Sequence, residues 1–263
     1  MIKLVVTDMD GTLVDSKKEL HPETIMCIKK LLQQGIYFAV ASGRQFQNLN
    51  KHFSDIKEDI ILISDNGTIV HDGLEKIYVD AMNSEDVMEF VTFLRTISSI
   101  DIVVCGVDSA YIENSDTKVV AVASEYYESL TIVDKFESII QTDQICKVSI
   151  YDWIDAETNA YPVIKNSEYP FSINLSGEKW VDVMNDHAGK GHANKIIQEK
   201  YSIDKKECMA FGDYLNDYTM MLACGETYAM KNAHPKLKNV CKYEAQSNDD
   251  AGVVQILKKE FNL

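Results

Sequence analysis

No stretch of this 263-residue chain approaches the roughly 20 consecutive apolar residues of a membrane span. The N-terminus runs straight into an apolar segment, without the charged region and hydrophobic core of a signal peptide. Positive charge is scarce too: 26 Lys and Arg stand against 41 Asp and Glu, a net charge of −15. Nucleic-acid binding rests on cationic contacts to phosphate, and anionic membranes draw basic segments, so neither is an expected partner. A small phosphorylated substrate is not excluded, because a local metal ion and one or two cations can override the global field. No C-x-x-C pair occurs among Cys27, Cys105, Cys146, Cys208, Cys224 and Cys241. They are expected to be core thiols in a reducing cytoplasm rather than disulfides or zinc ligands. Internal repeats, low-complexity tracts and polybasic runs are absent as well. What is left is an ordinary globular composition, 46% hydrophobic and 25% charged, long enough for one large domain or two modest ones.

Against that plain background one stretch stands out, Lys3-Leu4-Val5-Val6-Thr7-Asp8-Met9-Asp10-Gly11-Thr12-Leu13. An apolar, β-branched run bounded by polar turn residues reads as a buried strand of a parallel sheet. In open α/β sheets ligands sit beyond the carboxyl ends of the strands, where Asp8 and Asp10 fall. Residues i and i+2 of a strand share a side, so both carboxylates can serve one site. Such a pair repels unless a cation or a shared proton compensates; the arrangement asks for a metal, and Mg²⁺ is the one suited to oxygen ligands and phosphate-bearing substrates.

Downstream, Ile25, Ile28, Leu31 and Leu32 recur at helical spacing between Pro22 and Gly35. Ile36 to Ala41 is a second buried strand, ending in Ser42-Gly43-Arg44. Ser42 can cap a following helix, or its hydroxyl and the helix-start N–H groups can hold a phosphoryl oxygen. Arg44 can contact substrate or make a structural ion pair. Ile60 to Ser64 is a third strand, and Asn66-Gly67 signals a hairpin returning through Thr68 to Val70. From about Asn83 the pattern changes. Helices at 85–96, 118–128, 134–140 and 156–166 are interleaved with strands at 101–105, 110–113, 146–151, 171–175 and 179–184. Strand pairs joined by short turns among helices predict an α+β domain on an antiparallel sheet. After residue 185 the first pattern returns. Lys190-Gly191 precedes a helix over 193–201. A strand over 208–211 runs into Gly212-Asp213-Tyr214-Leu215-Asn216-Asp217. Thr227 to Met230 is the last strand expected. A short helix follows Pro235, and the closing helix starts at Gly252.

Four segments, Asp8 to Leu13, Ser42 to Arg44, Lys190-Gly191 and Gly212 to Asp217, occur in the order of the motifs of the haloacid dehalogenase (HAD) superfamily, which the chain resembles throughout. The Ser-Gly-Arg triplet and the position of the inserted domain are similar to the Cof-like phosphatases with a large C2-type cap. The resemblance implies a doubly wound, Rossmann-like α/β core over residues 1–82 and 186–263, with a cap over 83–185 that closes on the site and reads the leaving group. It implies a Mg²⁺-dependent phosphatase of small phosphorylated metabolites: sugar phosphates first, then pyridoxal phosphate or flavin mononucleotide. By the same resemblance Asp8 is the nucleophile and forms an aspartyl-phosphate, and Asp10 is the general acid and base. Mg²⁺ is held by Asp8, the Asp10 carbonyl and Asp213. Ser42 and Lys190 hold the phosphoryl oxygens, Asn216 positions Lys190 or the phosphate, and Asp217 supports the metal from behind. Gly43, Arg44 and Asn66 are candidate substrate contacts. A phosphomutase or phosphotransferase can use the same aspartyl-phosphate, and an idle HAD fold serving as a binding protein is a third reading. Neither the oligomeric state nor the cap residues that select substrate can be read from the sequence.

Overall fold

The computed structural model describes all residues from 1 to 263. In chain order the elements are β1 Leu4–Asp8, α1 Thr24–Gln33, β2 Tyr37–Ala41, α2 Phe46–His52, β3 Ile61–Ser64, β4 Ile69–Asp72 and β5 Glu75–Val79. There follow α3 Ser84–Leu94, β6 Ile100–Gly106, β7 Ala110–Ile112, α4 Thr117–Tyr126, β8 Leu130–Ile132, α5 Phe136–Ile140, β9 Ile145–Asp152, α6 Ala160–Lys165, β10 Phe171–Leu175 and β11 Trp180–Asn185. The chain ends with α7 Lys190–Tyr201, β12 Cys208–Gly212, α8 Tyr218–Ala223, β13 Glu226–Met230, α9 Pro235–Lys238, β14 Tyr243–Ala245 and α10 Gly252–Phe261. No helix is long and apolar enough to cross a membrane. Two compact units result, one of Met1–Ser42, Asn50–Tyr78 and Gly189–Leu263, the other of Gly43–Leu49 and Val79–Ala188.

The first unit is built on an eight-stranded sheet in the order β14-β13-β12-β1-β2-β3-β4-β5. Its pairs from β14 through β3 are parallel, and β4 returns antiparallel to β3 across the Asn66-Gly67 turn. Every residue of β1 and β12 is buried, as expected of central strands covered on both faces. The expected α/β fold with a parallel sheet is thus the fold this unit adopts. β1 lies between β2 and β12, in register Asp8 to Ala41 and Thr7 to Phe211. The carboxyl ends of three neighbouring strands therefore come together, carrying Asp8, Ser42 and Asp213.

The second unit is a six-stranded sheet in the order β10-β11-β9-β6-β7-β8, antiparallel except for the β7–β8 pair. Val104, Val148, Ile150, Val181 and Val183 pack one face of it onto Phe90, Leu94, Phe136 and Ile164 of α3, α5 and α6. Alternation along the strands turns Val103, Cys105 and Trp180 to the other face, where they meet Ala123 and Tyr127 around α4. Three short strands, β5, β8 and β14, were not expected from the sequence. The helix expected over 156–166 is confined to Ala160–Lys165, because Asp152 accepts the N–H groups of Ile154, Asp155 and Ala160 and holds the preceding residues as a turn.

Candidate active site

The strand β1 delivers Asp8 as its last residue, 5% exposed. The chain then winds round the carbonyl of Met9, which accepts the N–H groups of Leu13 and Val14 at 3.0 Å each. Gly11 has φ +77°, and a Cβ there would stand 2.4 Å from Asp213 Oδ2. Only glycine combines that left-handed backbone with so close an approach. Thr12 Oγ1 donates to Asp213 Oδ1 at 3.2 Å. Because β1 stops at Asp8, Asp10 lies beyond the strand, in an isolated bridge to Val14, with an exposed side chain. The carboxylates that converge on Asp8 are those of Asp213 and Asp217, with oxygens within 4.8 Å of one another.

Asp213 follows β12 directly, and a single 3₁₀ turn, Leu215–Asp217, swings Asp217 back underneath it. Asp217 Oδ2 accepts the backbone N–H of Asp213 at 3.0 Å and of Tyr214 at 3.2 Å. Its Oδ1 accepts from Lys190 Nζ at 2.6 Å. Lys190 is fully buried and also donates to Asp8 Oδ1 at 2.5 Å. It is the first residue of α7, whereas the flanking glycines led the sequence reading to place it three residues ahead of the helix. An ammonium buried at the positive end of a helix is costly, so its position depends on those two carboxylates. Asn216 is expected to position Lys190 or the phosphate, and its side chain bonds Asn66 rather than Lys190. The bond to Lys190 comes from its neighbour Asp217, since the turn points one inward and the other toward Asn66.

Asn66 adopts left-handed φ and ψ within the Asp65–Gly67 turn, and its side-chain Oδ1 accepts from Asn216 Nδ2 at 3.1 Å. Its N–H donates to the carbonyl of Ser42 at 2.9 Å. The Ser42 N–H is taken by the Ile63 carbonyl, also at 2.9 Å, and the next helix begins only at Phe46. Ser42 therefore neither caps that helix nor offers its own N–H to a ligand. Gly67, at φ +99°, lets the turn approach α7 so closely that a Cβ would lie 2.5 Å from the backbone of Gly189. Gly43 and Arg44 belong to the second unit, where Arg44 Nη1 donates to Asn48 Oδ1 at 2.9 Å. Sequence reasoning passed over Thr12 and Gly67 as site residues, although both stand inside motifs it had marked.

A family model described as haloacid dehalogenase-like hydrolase matches residues 5–257. The chain belongs to this family. Among curated proteins it is 28% identical over 260 residues to an Escherichia coli 5-amino-6-(5-phospho-D-ribitylamino)uracil phosphatase, covering 98% of this chain and 96% of that one. It is 25% identical over 282 residues to a Bacillus subtilis phosphatase, covering 98% and 99% respectively. A solved Streptococcus mutans structure superposes with a TM-score of 0.92 over 100% of both chains at 24% identity, a likeness of fold. The expected Cof-like HAD hydrolase of phosphoric monoesters is what these relationships support.

In this HAD hydrolase the cluster sets three carboxyl groups, two of them buried and Asp213 half-buried, against one ammonium, a surplus of two negative charges when all are ionised. Burial first, and then the Asp217 carboxylate, push Asp8 well above the usual carboxylate range, and Lys190 offsets only part of this. The same two causes hold Asp213 up to about 6. Burial draws the Lys190 ammonium down, but Asp217 and Asp8 outweigh it and keep the group firmly charged. Asp8 Oδ2 is buried without a hydrogen-bond partner. A buried, unpartnered carboxylate oxygen costs about 1–3 kcal/mol or more, so the site suits a ligand that brings positive charge to Asp8 and Asp213. Both oxygens of Asp217 are already engaged by Lys190 and backbone N–H groups. Asp8 and Asp213 thus fit a hard divalent cation, with Asp217 behind them.

Proposed function

We propose that this HAD hydrolase is a Mg²⁺-dependent phosphatase of small phosphorylated metabolites, working through an aspartyl-phosphate on Asp8. The observation that carries the reading is Asp8 itself. It is buried at a strand end, fixed through one oxygen by Lys190, and has its other oxygen free of hydrogen bonds. Asp8 and Asp213, with the Asp10 carbonyl, would hold Mg²⁺. When bound, the ion would screen the anionic nucleophile from the anionic phosphoryl group.

Asp8 attacks phosphorus in line, an O–P bond forms, and the ester P–O bond breaks. Asp10, exposed at the strand end and able to exchange protons with solvent, donates a proton to the leaving alkoxide. Water then attacks the aspartyl-phosphate, Asp10 takes its proton, and inorganic phosphate leaves with the Asp8 carboxylate restored. Lys190 orients Asp8 and, with Ser42, binds the phosphoryl oxygens. Asp217 fixes Lys190 and the Asp213 loop. Asn66 and Asn216, bonded to each other, border Ser42 and are proposed to support the phosphate rather than Lys190. For Gly43 and Arg44 the Arg44–Asn48 bond favours a structural role.

The substrate range starts with ribityl and sugar phosphates, since the E. coli relative is named for a phosphorylated ribitylaminouracil. Flavin mononucleotide carries the same ribityl phosphate, and pyridoxal phosphate is a further candidate. A cytoplasmic location suits a chain whose six cysteines are all free thiols. The test is phosphate release from a panel of these esters and a generic aryl phosphate, with Mg²⁺ and with chelator. Metal-dependent release that Asp8→Asn abolishes is the expected result. An active Asp8→Asn protein, or release that survives chelation, overturns the reading. A trapped aspartyl-phosphate without net release would point instead to transfer onto a second hydroxyl.

A further inference from the structure

Within the first unit, β1 ends at Asp8, so Asp10 rides on the loop that follows rather than on the sheet. Inside that loop the Met9 carbonyl takes the N–H groups of Leu13 and Val14, which leaves the carbonyls of Gly11 and Val14 to other partners. Two asparagines from the far end of the chain supply them. Asn232 Nδ2 donates to the Gly11 carbonyl at 2.8 Å, and Asn248 Nδ2 donates to the Val14 carbonyl at 3.0 Å. The two are joined, since the N–H of Asn248 donates to Asn232 Oδ1 at 3.3 Å. A third tie runs from the N–H of Ser16 to Asp249 Oδ1 at 2.8 Å. Asn232 lies just past β13, in a turn closed by the bond from the Ala233 N–H to the Met230 carbonyl, and Asn248 opens the 3₁₀ turn after β14. These strands are the second and third neighbours of β1, so the edge of the sheet reaches past β12 to hold the Asp10 loop.

We propose that Asn232 and Asn248 are positioning residues that hold Asp10 where it can pass its proton to the leaving group, which rests on the reading of Asp10 as general acid and base. Gly11 is the residue next to Asp10, and Val14 is its bridge partner, so the two asparagines grip the loop beside the reacting carboxyl and opposite it. Proton transfer needs the carboxyl within about 2.6–3.2 Å of the leaving oxygen. Misplacement by about 1 Å can cost roughly 10²-fold. Asn232 is exposed and Asn248 half-buried, so neither fills the core. Their bonds act on where the loop sits rather than on whether the unit folds. The turn that carries Asn232 also reaches the Asp213 loop, where the N–H of His234 donates to the Asp213 carbonyl at 2.8 Å. One turn therefore touches the loop of the proposed acid and the loop of Asp213.

The experiment measures kcat/KM of the full-length protein at saturating Mg²⁺ for two esters, the alkyl phosphate of the substrate panel that turns over fastest and nitrophenyl phosphate. This ratio reports the cleavage of the ester and not the later attack of water. An alkoxide needs a proton to leave, whereas nitrophenolate leaves without one, so a fault in the acid shows on the alkyl ester alone. Asn232→Ala should lower kcat/KM for the alkyl ester by about 10- to 100-fold and for the aryl ester by less than about threefold. Asn232→Asp, which keeps the shape and replaces the donor with an acceptor, should match it, and Asn248→Ala should give a smaller split of the same sign. Asp10→Asn should show the largest split, and adding Asn232→Ala to it should cost the alkyl ester nothing more. Equal losses on both esters in Asn232→Ala, or a further full loss on top of Asp10→Asn, would overturn the proposal while the reading of Asp10 stands. An Asp10→Asn protein with no split would overturn that reading and the proposal with it.

Discussion

Each unit buries a carboxylate, and the two solve the problem in opposite ways. In the second unit Asp152 is fully buried and accepts from Ile154 N, Asp155 N, Asn159 Nδ2 and Ala160 N at 2.8–3.1 Å. Its charge is met by donors on the same stretch of chain, and it folds the turn ahead of α6. Asp8 in the first unit is almost as buried, yet it faces two more carboxylates and leaves one oxygen without a partner. Burial of a charge is thus a poor sign of function by itself. The sign is a surplus of like charge that the fold concentrates and does not neutralise.

The sharpest way to break the comparison is to neutralise each carboxylate in turn. Asp8→Asn should lower turnover by at least about 10⁴-fold, as removal of a nucleophile does, while thermal stability holds or rises because like-charge repulsion is relieved. Asp152→Asn should do the reverse. Activity per folded molecule should survive, with a loss of about 1–3 kcal/mol from weakened bonds to the turn. Phosphate-release assays beside denaturant melts read both, and an Asp8→Asn protein that is chiefly unstable would erase the distinction.

Lys190→Met comes next in size. It leaves Asp8 and Asp217 buried without their ammonium, and breaking a buried pair from one side costs about 3–5 kcal/mol. Urea melts of the metal-free protein should show that loss. Added Mg²⁺ should restore part of it, because the cation supplies positive charge to the same cluster. Gly67→Ala should cost about 1–3 kcal/mol through the strained left-handed backbone and the clash with Gly189. Since that clash falls next to Lys190, its activity loss should exceed the share explained by unfolding.

The same contrast sets how much could be read without a structure. The Asp8, Ser42 and Asp213 segments were legible because each is a short polar signature after an apolar run, and a parallel sheet brings such ends together. β5, β8 and β14 were not, because most of their residues are exposed or half-buried and they form through pairing with neighbouring strands rather than by an apolar pattern of their own. Lys190 was misplaced by its glycines, which fit a loop. It is instead the first residue of a helix, bonded to two carboxylates that lie far from it in sequence. The inward turn of Asp217 rather than Asn216 depends on a 3₁₀ turn that adjacent polar residues do not announce. Asp152 went unremarked, since a carboxylate satisfied by nearby backbone resembles any other aspartate in a sequence.

The smallest effect separates the two units by pH. Asp213 is held up to about 6, against about 3.9 for an ordinary aspartate. Between those values the folded protein binds more protons at this group than the unfolded chain does, so stability must fall as pH rises from about 4 to about 6. Asp8, raised by the same causes, contributes with the same sign. For Asp213, which is partly exposed, solvent screening leaves an effect on the order of 1–2 kcal/mol. Melts of the metal-free protein across this range should show the decline. Asp213→Asn should flatten it, and saturating Mg²⁺ should flatten it as well by favouring the ionised carboxylates. Asp152→Asn should leave the slope unchanged. A slope that ignores both Asp213→Asn and Mg²⁺ would mean that the surplus charge of the cluster is relieved in some other way, and Asp8 would then differ from Asp152 only in its neighbours.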